Sequence, residues 1–433
     1  MKVLLILLLL VGSALAGTDQ GERDEFTGEA VDFFLGKDKM AAKLEMTPSA
    51  NCVEGDMEMT EEQKEVYNMM REVTAKNRAR VRRAATTAFR LWPDKTLVYK
   101  FDSQLSKTMK TKFEEAVALY RETTCIKFVE AKDGYSGDVR PINIKGTGNG
   151  CYSTVGGPGG NLNLQESRCD HLGVCLHEIG HALGVYHEQT RSDRGDHVTI
   201  NEKNIRKGYG NNFKMVDRPL LAPYDLQSIM HYSCDAFSKD GRSETIVPQD
   251  SSVKEKMGLQ RRLSRLDIYK FNLMYGCYEG CPEDLKDKCQ HGGVPSKECT
   301  CVCPEEYKGP YCEIFNAETA CSALFTDTSG VIQSPGYPAR YPSNTECVYA
   351  IECPVGMTVH LDFTDFDVEG YGCFYDIFET KTGDIIDEIY PDEYCDRELK
   401  GVAKHSKTNL ALMKFKSDYM FNYKGFQVEY RCE

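Results

Sequence analysis

Beyond its first 16 residues the 433-residue sequence contains no apolar run approaching the about 18 residues a membrane-spanning helix needs, so no membrane anchor is expected there. It lacks the Asn-x-Ser/Thr pattern, so N-glycosylation is not expected. The net charge is −13, yet neither a basic stripe nor an acidic block stands out, which argues against nucleic acid as a partner. The glycine-rich stretch Gly156-Gly157-Pro158-Gly159-Gly160 has no Lys-Ser/Thr and no helix signature behind it, so it reads as a turn and not a phosphate cradle. No long internal repeat is present. Cysteine is nearly missing from the first 120 residues, where Cys52 stands alone.

What the sequence does contain begins with a leader. Lys2, the apolar run Val3 to Val11 and then Ala14-Leu15-Ala16 form a signal peptide over residues 1–16, so the chain is expected to be secreted and extracellular. The nineteen cysteines fit that oxidising environment, and twelve of them fall between Cys277 and Cys395, where disulfide-stapled modules are expected. Residues 17–83 are polar, include the helix-favouring run Thr60 to Tyr67, and end in Arg80-Val81-Arg82-Arg83. After a signal peptide this reads as a removable propeptide cleaved between Arg83 and Ala84; a merely solvated or anion-binding arginine cluster is the competing reading. Beyond Arg83 the pattern becomes that of a compact mixed domain. Leu97, Tyr99 and Phe101 alternate as in a strand, Met109, Phe113, Val117 and Tyr120 recur at helical spacing, and Ile126 and Phe128 open a second strand.

The chemistry concentrates in His177-Glu178-Ile179-Gly180-His181-Ala182-Leu183-Gly184-Val185-Tyr186-His187-Glu188. Leu172, Leu176 and Leu183 give its first half an apolar helical stripe, and on that helix His177 and His181 lie one turn apart on one face, close enough to chelate one Zn²⁺. Gly184 can take positive φ and end the helix, so the chain turns back and His187 supplies a third nitrogen. Three nitrogens leave a position for water, whose pKa zinc lowers from 15.7 to roughly 7. Glu178, beside a ligand without being one, is placed to act as general base and then acid. A lone His-Glu-x-x-His arises by chance; the glycine and the third histidine at these offsets make a metal site the stronger reading.

Downstream stands Ser228-Ile229-Met230-His231-Tyr232, a Met-containing turn of the kind that accompanies the three-histidine motif. With Glu188 directly after the third histidine, the chain resembles the astacin family, a branch of the metzincins, and is similar to the nematode astacins. The likeness covers residues 84–277, from Leu91-Trp92-Pro93 to Tyr275-Gly276-Cys277. It implies a two-lobed α+β zincin catalytic domain, a zinc metalloendopeptidase made as a zymogen, and extracellular proteins or peptides as substrates lying extended and antiparallel along the edge near Cys151 to Ser153. By the same resemblance Met230 is a hydrophobic floor, unless it is simply core packing. Tyr232 is a movable extra zinc ligand that stabilises the oxyanion, and Glu188 receives the freed amine of Ala84. Val53-Glu54-Gly55-Asp56 stands where family propeptides carry Phe-x-Gly-Asp, so Asp56 is expected to occupy the zinc and make the propeptide an inhibitor; an ordinary turn aspartate is the alternative. Cys125–Cys277 and Cys151–Cys169 are the implied disulfides. A further bridge between Cys175 and Cys234 would make every cysteine after Cys52 paired.

Two modules follow. Residues 278–313 resemble an EGF-like module, implying Cys281–Cys299, Cys289–Cys301 and Cys303–Cys312 out of fifteen possible pairings. Residues 321–432 alternate as strands, as in Thr358 to Phe363 and Gly425 to Tyr430, and resemble an all-β CUB sandwich with Cys321–Cys347 and Cys373–Cys395, Cys353 and Cys432 being left to pair. Glu369, Asp376 and Asp418 match the carboxylates of calcium-binding CUB modules, and oxygen donors suit Ca²⁺; a solvated acidic loop is the competing reading. Against the enzyme stands a non-catalytic secreted binding protein that uses the EGF and CUB modules on a degenerate protease scaffold, which the intact ligand set and Glu178 oppose.

Overall fold

The computed structural model describes residues 52–73 and 91–433, apart from 167, 250–253, 255–256, 259–261, 318, 371–372 and 384–390. The expected signal peptide and the Arg83–Ala84 cleavage point lie outside the described residues.

The described residues open with a hairpin, β1 (Cys52–Val53) and β2 (Met57–Glu58), and helix α1 (Glu61–Arg71). The helix starts at Thr60 because Thr60 and Gln63 cap each other reciprocally: the Gln63 amide donates to the Thr60 hydroxyl at 3.2 Å and the Thr60 amide to the Gln63 side chain at 2.9 Å. It then buries Val66, Tyr67 and Met70 against Val155, Tyr186 and Val216 of the domain behind it.

That domain is built from β3 (Thr96–Phe101), α2 (Lys107–Thr123), β4 (Lys127–Glu130), β5 (Ile142–Lys145), β6 (Cys151–Thr154), β7 (Asn161–Leu164), α3 (Leu172–Ala182), the small pair β8 (Val198–Ile200) and β9 (Ile246–Pro248), and α4 (Arg265–Met274). The large sheet has the order β1-β2-β6-β7-β5-β3-β4. Its β3, β5 and β7 run parallel, whereas β6 is antiparallel to β7 and takes β2 on its other edge in parallel register, Met57 facing Ser153. Alternation along β3 predicts one buried face, but Val98 is buried together with Leu97 and Tyr99. The strand lies between β4 and β5 in parallel pairing, where both faces are covered. Ser106 caps α2, whose Met109, Phe113, Val117 and Tyr120 enter the same core as Leu176 and Ile179 of α3.

A small unit follows, with the strand pairs β10 (Val294–Pro295) with β11 (Cys301–Val302) and β12 (Tyr307–Lys308) with β13 (Ile314–Phe315). Three disulfides staple it, Cys281–Cys299, Cys289–Cys301 and Cys303–Cys312. The last part is a two-sheet sandwich of β14 (Ala323–Phe325), β15 (Ser329–Gln333), β16 (Glu346–Glu352), β17 (Val359–Asp367), β18 (Ile377–Lys381), β19 (Asp392–Tyr394), β20 (Ala403–His405), β21 (Leu410–Lys416) and β22 (Gly425–Cys432). The sheet orders are β14-β16-β21-β18-β19 and β15-β22-β17-β20, and Phe363, Phe366, Phe378, Phe415 and Phe426 fill the space between. Cys321–Cys347, Cys353–Cys432 and Cys373–Cys395 close it, while Cys125–Cys277 and Cys151–Cys169 lie in the N-terminal domain.

The expected Cys175–Cys234 bridge is a correction: it does not form. Cys175 sits in the α2–α3 core with its thiol 4.0 Å from the Cys169 carbonyl, and Cys234 sits in a separate cluster around Phe213 and Ile246, 3.2 Å from the Lys254 carbonyl. The two cysteines lie in separate cores, so the even count of cysteines does not mean that all are bridged.

Candidate metal centre

Helix α3 brings His177 and His181 to one face, with ring centroids 4.7 Å apart. The helix ends where expected: Gly184 takes φ +100°, which returns the chain and sets the His187 ring 4.7 Å from His181 and 5.3 Å from His177. All three rings are fully buried. Each Nδ1 is held from behind, His177 by the Ile229 carbonyl at 2.7 Å, His181 by the Val185 carbonyl at 2.7 Å and His187 by the Glu54 carboxylate at 2.8 Å. Such partners fix ring orientation and leave Nε2 of each ring for a ligand. Those nitrogens converge on Asp56, lying 3.2, 3.6 and 3.1 Å from its carboxylate oxygens.

The turn below follows from α4. Ser264 caps that helix, and its third residue Asp267 accepts from the Ser228 hydroxyl at 2.6 Å and the Ile229 amide at 2.8 Å, fixing the turn that carries Met230. Met230 is fully buried beneath Gly180, where a Cβ would lie 2.6 Å from its sulfur. Hydrophobic floor and core packing both describe this position.

Residues 84–276 match the model of the astacin family of peptidases, and residues 321–430 match that of the CUB domain. Blastula protease 10 of Paracentrotus lividus is 34% identical over 400 residues, 87% of this chain and 64% of that protein. Protein SpAN of Strongylocentrotus purpuratus is 32% identical over 422 residues, 94% of this chain and 67% of that protein. The chain belongs to the astacin family. It spans about two thirds of the length of these relatives. Among solved structures, High choriolytic enzyme 1, a hatching enzyme zinc-protease from Oryzias latipes, is 33% identical and covers 44% of this chain and 96% of that one, with a TM-score of 0.40.

Zn²⁺ is the ion the family implies, and the astacin centre fits it. His177, His181 and His187 offer three nitrogens with Asp56 among them, all ligand atoms within 4.8 Å of one another. Asp56 Oδ1, His181 Nε2 and both oxygens of Glu178 are buried without a hydrogen-bond partner, as groups built around a cation would be. Burial, and then the charge of Asp56, pushes the Glu178 carboxyl up. Burial acts the same way on Asp56, but His187 and His181 overcome it and hold Asp56 well below the usual carboxylate range.

The segment that carries Asp56 also engages Tyr232. Tyr232, expected as a fourth ligand, stands with its ring 4.4 Å from that of His187, yet its hydroxyl donates to the Glu54 carbonyl. Asp56 fills the middle of the histidines, and the neighbouring backbone takes the phenol. Glu54 itself gained no role from the sequence, although it is the variable residue of the motif that supplied Asp56; besides His187 it accepts from Tyr67. Glu188 points away from the histidines and pairs with Lys270 at 2.8 Å and Arg191 at 2.9 Å, partners that the sequence did not reveal.

In the C-terminal sandwich Glu369, Asp376 and Asp418 do come together, ligand atoms within 4.8 Å. Tyr341 donates to Asp376 at 2.5 Å, and Glu369 Oε2 is buried without a partner. Burial, then the neighbouring acids, pushes Glu369 upward.

Proposed function

We propose that this astacin is a secreted zinc endopeptidase held latent by residues 17–83 and acting on extracellular proteins. The observation that carries the reading is the convergence of three histidine Nε2 atoms on one point beside a buried carboxylate, Glu178, that has no other partner. His177, His181 and His187 would hold the ion. When bound, Zn²⁺ supplies Lewis acidity for peptide hydrolysis.

The remaining steps belong to the chain. Glu178, buried without a hydrogen-bond partner beside the histidines, takes a proton from the attacking water and passes it to the leaving amine. Once the propeptide departs, the Tyr232 hydroxyl loses its Glu54 acceptor; it would be a further residue able to hold the ion and, when displaced from it, to donate to the developing oxyanion. Met57 and Glu58 now occupy the edge of β6, where the Ser153 amide donates to the Asp56 carbonyl at 2.9 Å. Their removal frees that edge for an extended substrate, which we place antiparallel to β6. Asp56, seated among the histidines, is the inhibitory residue, and cleavage between Arg83 and Ala84 is the activating step. We read the EGF-like and CUB-like modules as exosites or spacers, with Ca²⁺ at Glu369, Asp376 and Asp418.

The test compares wild type with Glu178→Ala, both freed of propeptide, on denatured protein and a peptide library. Wild type is expected to cleave and the variant to lose at least about 100-fold in rate, the scale of a general base. Equal cleavage by both, or none by either, sinks the reading in favour of a binding protein.

A further inference from the structure

The outer face of the four-stranded sheet brings together a further group of side chains of metal-ligating type. Along β17, Val359, Leu361 and Phe363 are buried in the sandwich, so His360 and Asp362 project from the opposite face. Strand register sets His360 opposite His405 of β20 on one side and opposite Arg431 of β22 on the other. Alternation along β22 puts Glu433 on the face of Arg431. Glu433 continues the ladder, its amide donating to the Thr358 carbonyl at 2.9 Å and its carbonyl accepting from the Thr358 amide at 2.8 Å. Three strands thus deliver two imidazoles and a carboxylate to one spot, a ligand atom of each within 4.8 Å of the others.

The supporting contacts are those of a histidine metal site. His360 Nε2 lies 3.0 Å from Asp362 Oδ1, and a carboxylate there keeps the proton on Nε2, so Nδ1 presents its lone pair. That Nδ1 faces the Nδ1 of His405 at 3.0 Å. Two imidazole nitrogens so placed either share one proton or share a cation. Zinc–nitrogen bonds of about 2.0–2.1 Å in a tetrahedral site separate the nitrogens by roughly 3.3 Å, an opening of a few tenths of an ångström. Arg431 donates to Glu433 at 2.7 Å and to Asp362 at 2.7 Å, so one guanidinium orients both the carboxylate ligand and the carboxylate behind His360. His360 is buried whereas His405 and Glu433 are exposed, so the spot is anchored on one side and open to ions on the other.

We propose that His360, His405 and Glu433 form a second Zn²⁺ site, which ties β20 and the end of β22 across β17. Imidazole ligands suit zinc and not calcium, which separates this site from the all-oxygen group of Glu369, Asp376 and Asp418. The experiment counts metal: the full chain is stripped with a chelator, dialysed against excess Zn²⁺, and its bound zinc measured by mass spectrometry beside His405→Ala. Wild type is expected to hold one equivalent more than the variant. The difference is the readout, so zinc on His177, His181 and His187, present in both, cancels. Asp362→Asn is expected to keep the extra equivalent but weaken it about 10–100-fold. Equal zinc in wild type and His405→Ala overturns the proposal, and His405→Gln gives the same comparison if the alanine variant misfolds.

Discussion

Glu188 lies buried between two cations, Lys270 and Arg191, and its Oε1 also accepts from the Asp225 amide at 3.1 Å. Burial alone would raise its carboxyl; Lys270, then Arg191, reverse this and bring it to about 2. Neutralising Glu188 leaves Arg191 its pair with Asp193 at 2.7 Å but leaves buried Lys270 with only Asp267 at 4.0 Å, so Glu188→Gln is expected to destabilise the domain by ~1–3 kcal/mol, read as a lower urea midpoint. Glu188→Gln combined with Lys270→Met should recover part of that loss, since it removes one stranded charge; an unchanged midpoint in the single variant would refute the account. At this scale the sequence was legible wherever chemistry is local. The three histidines and Glu178 announce themselves by spacing and neighbours, whereas Asp56 was marked only by the resemblance of Val53-Glu54-Gly55-Asp56 to a family motif. Lys270 does not, because it lies 82 residues from Glu188 and reaches it only through the packing of α4. His360 and His405 are likewise silent, 45 residues apart and joined by register alone.

At the scale of elements, α3 and the Met230 turn form one object. Gly180 lies inside the helix, where alanine is ordinarily better by about 1 kcal/mol. Here a methyl would meet the Met230 sulfur at 2.6 Å and the Phe271 ring at 3.5 Å. The methionine cannot withdraw freely, because Asp267 fixes its turn and the Glu188 amide donates to the Met230 carbonyl at 3.0 Å. Overpacking should therefore outweigh propensity, and Gly180→Ala is expected to lower stability by about 1–3 kcal/mol, measured as a fall in melting temperature. A rise would mean that the turn yields easily. Helix positions were readable from period 3.6 and from caps such as Thr60 and Ser106, which act within a few residues. The two-sided burial of β3 was not, since it depends on which strands flank it.

For the whole molecule, order along the sequence and order in space part company at the N-terminus. A segment far ahead of the histidines, with Asp56 121 residues before His177, adds two strands to the central sheet and reaches the three histidines. Composition could mark it as removable, but the parallel register of β2 on β6 exists only in the fold. Cysteine counting met the same limit, since parity cannot distinguish a bridge from a packed thiol.

The covering segment also sets how a bound ion can leave. Met57, Met59, Val66, Tyr67 and Met70 pack onto Val155, Tyr186 and Val216, and beneath them His177, His181 and His187 have no solvent exposure. A chelator must reach those nitrogens or wait for an opening, and opening requires this apolar cluster and the Glu54–His187 contact to break together. Removing residues 17–83 abolishes that barrier and takes Asp56 away. Zinc on the three histidines is therefore expected to leave the processed chain at least about tenfold faster than the intact chain when both are mixed with excess chelator, followed by a colorimetric zinc indicator. The intact chain carrying Asp56→Ala should fall between them, because it keeps the cover and loses only the carboxylate. Equal release from intact and processed chains would mean that neither the cover formed by the hairpin and α1 nor Asp56 holds the ion in place.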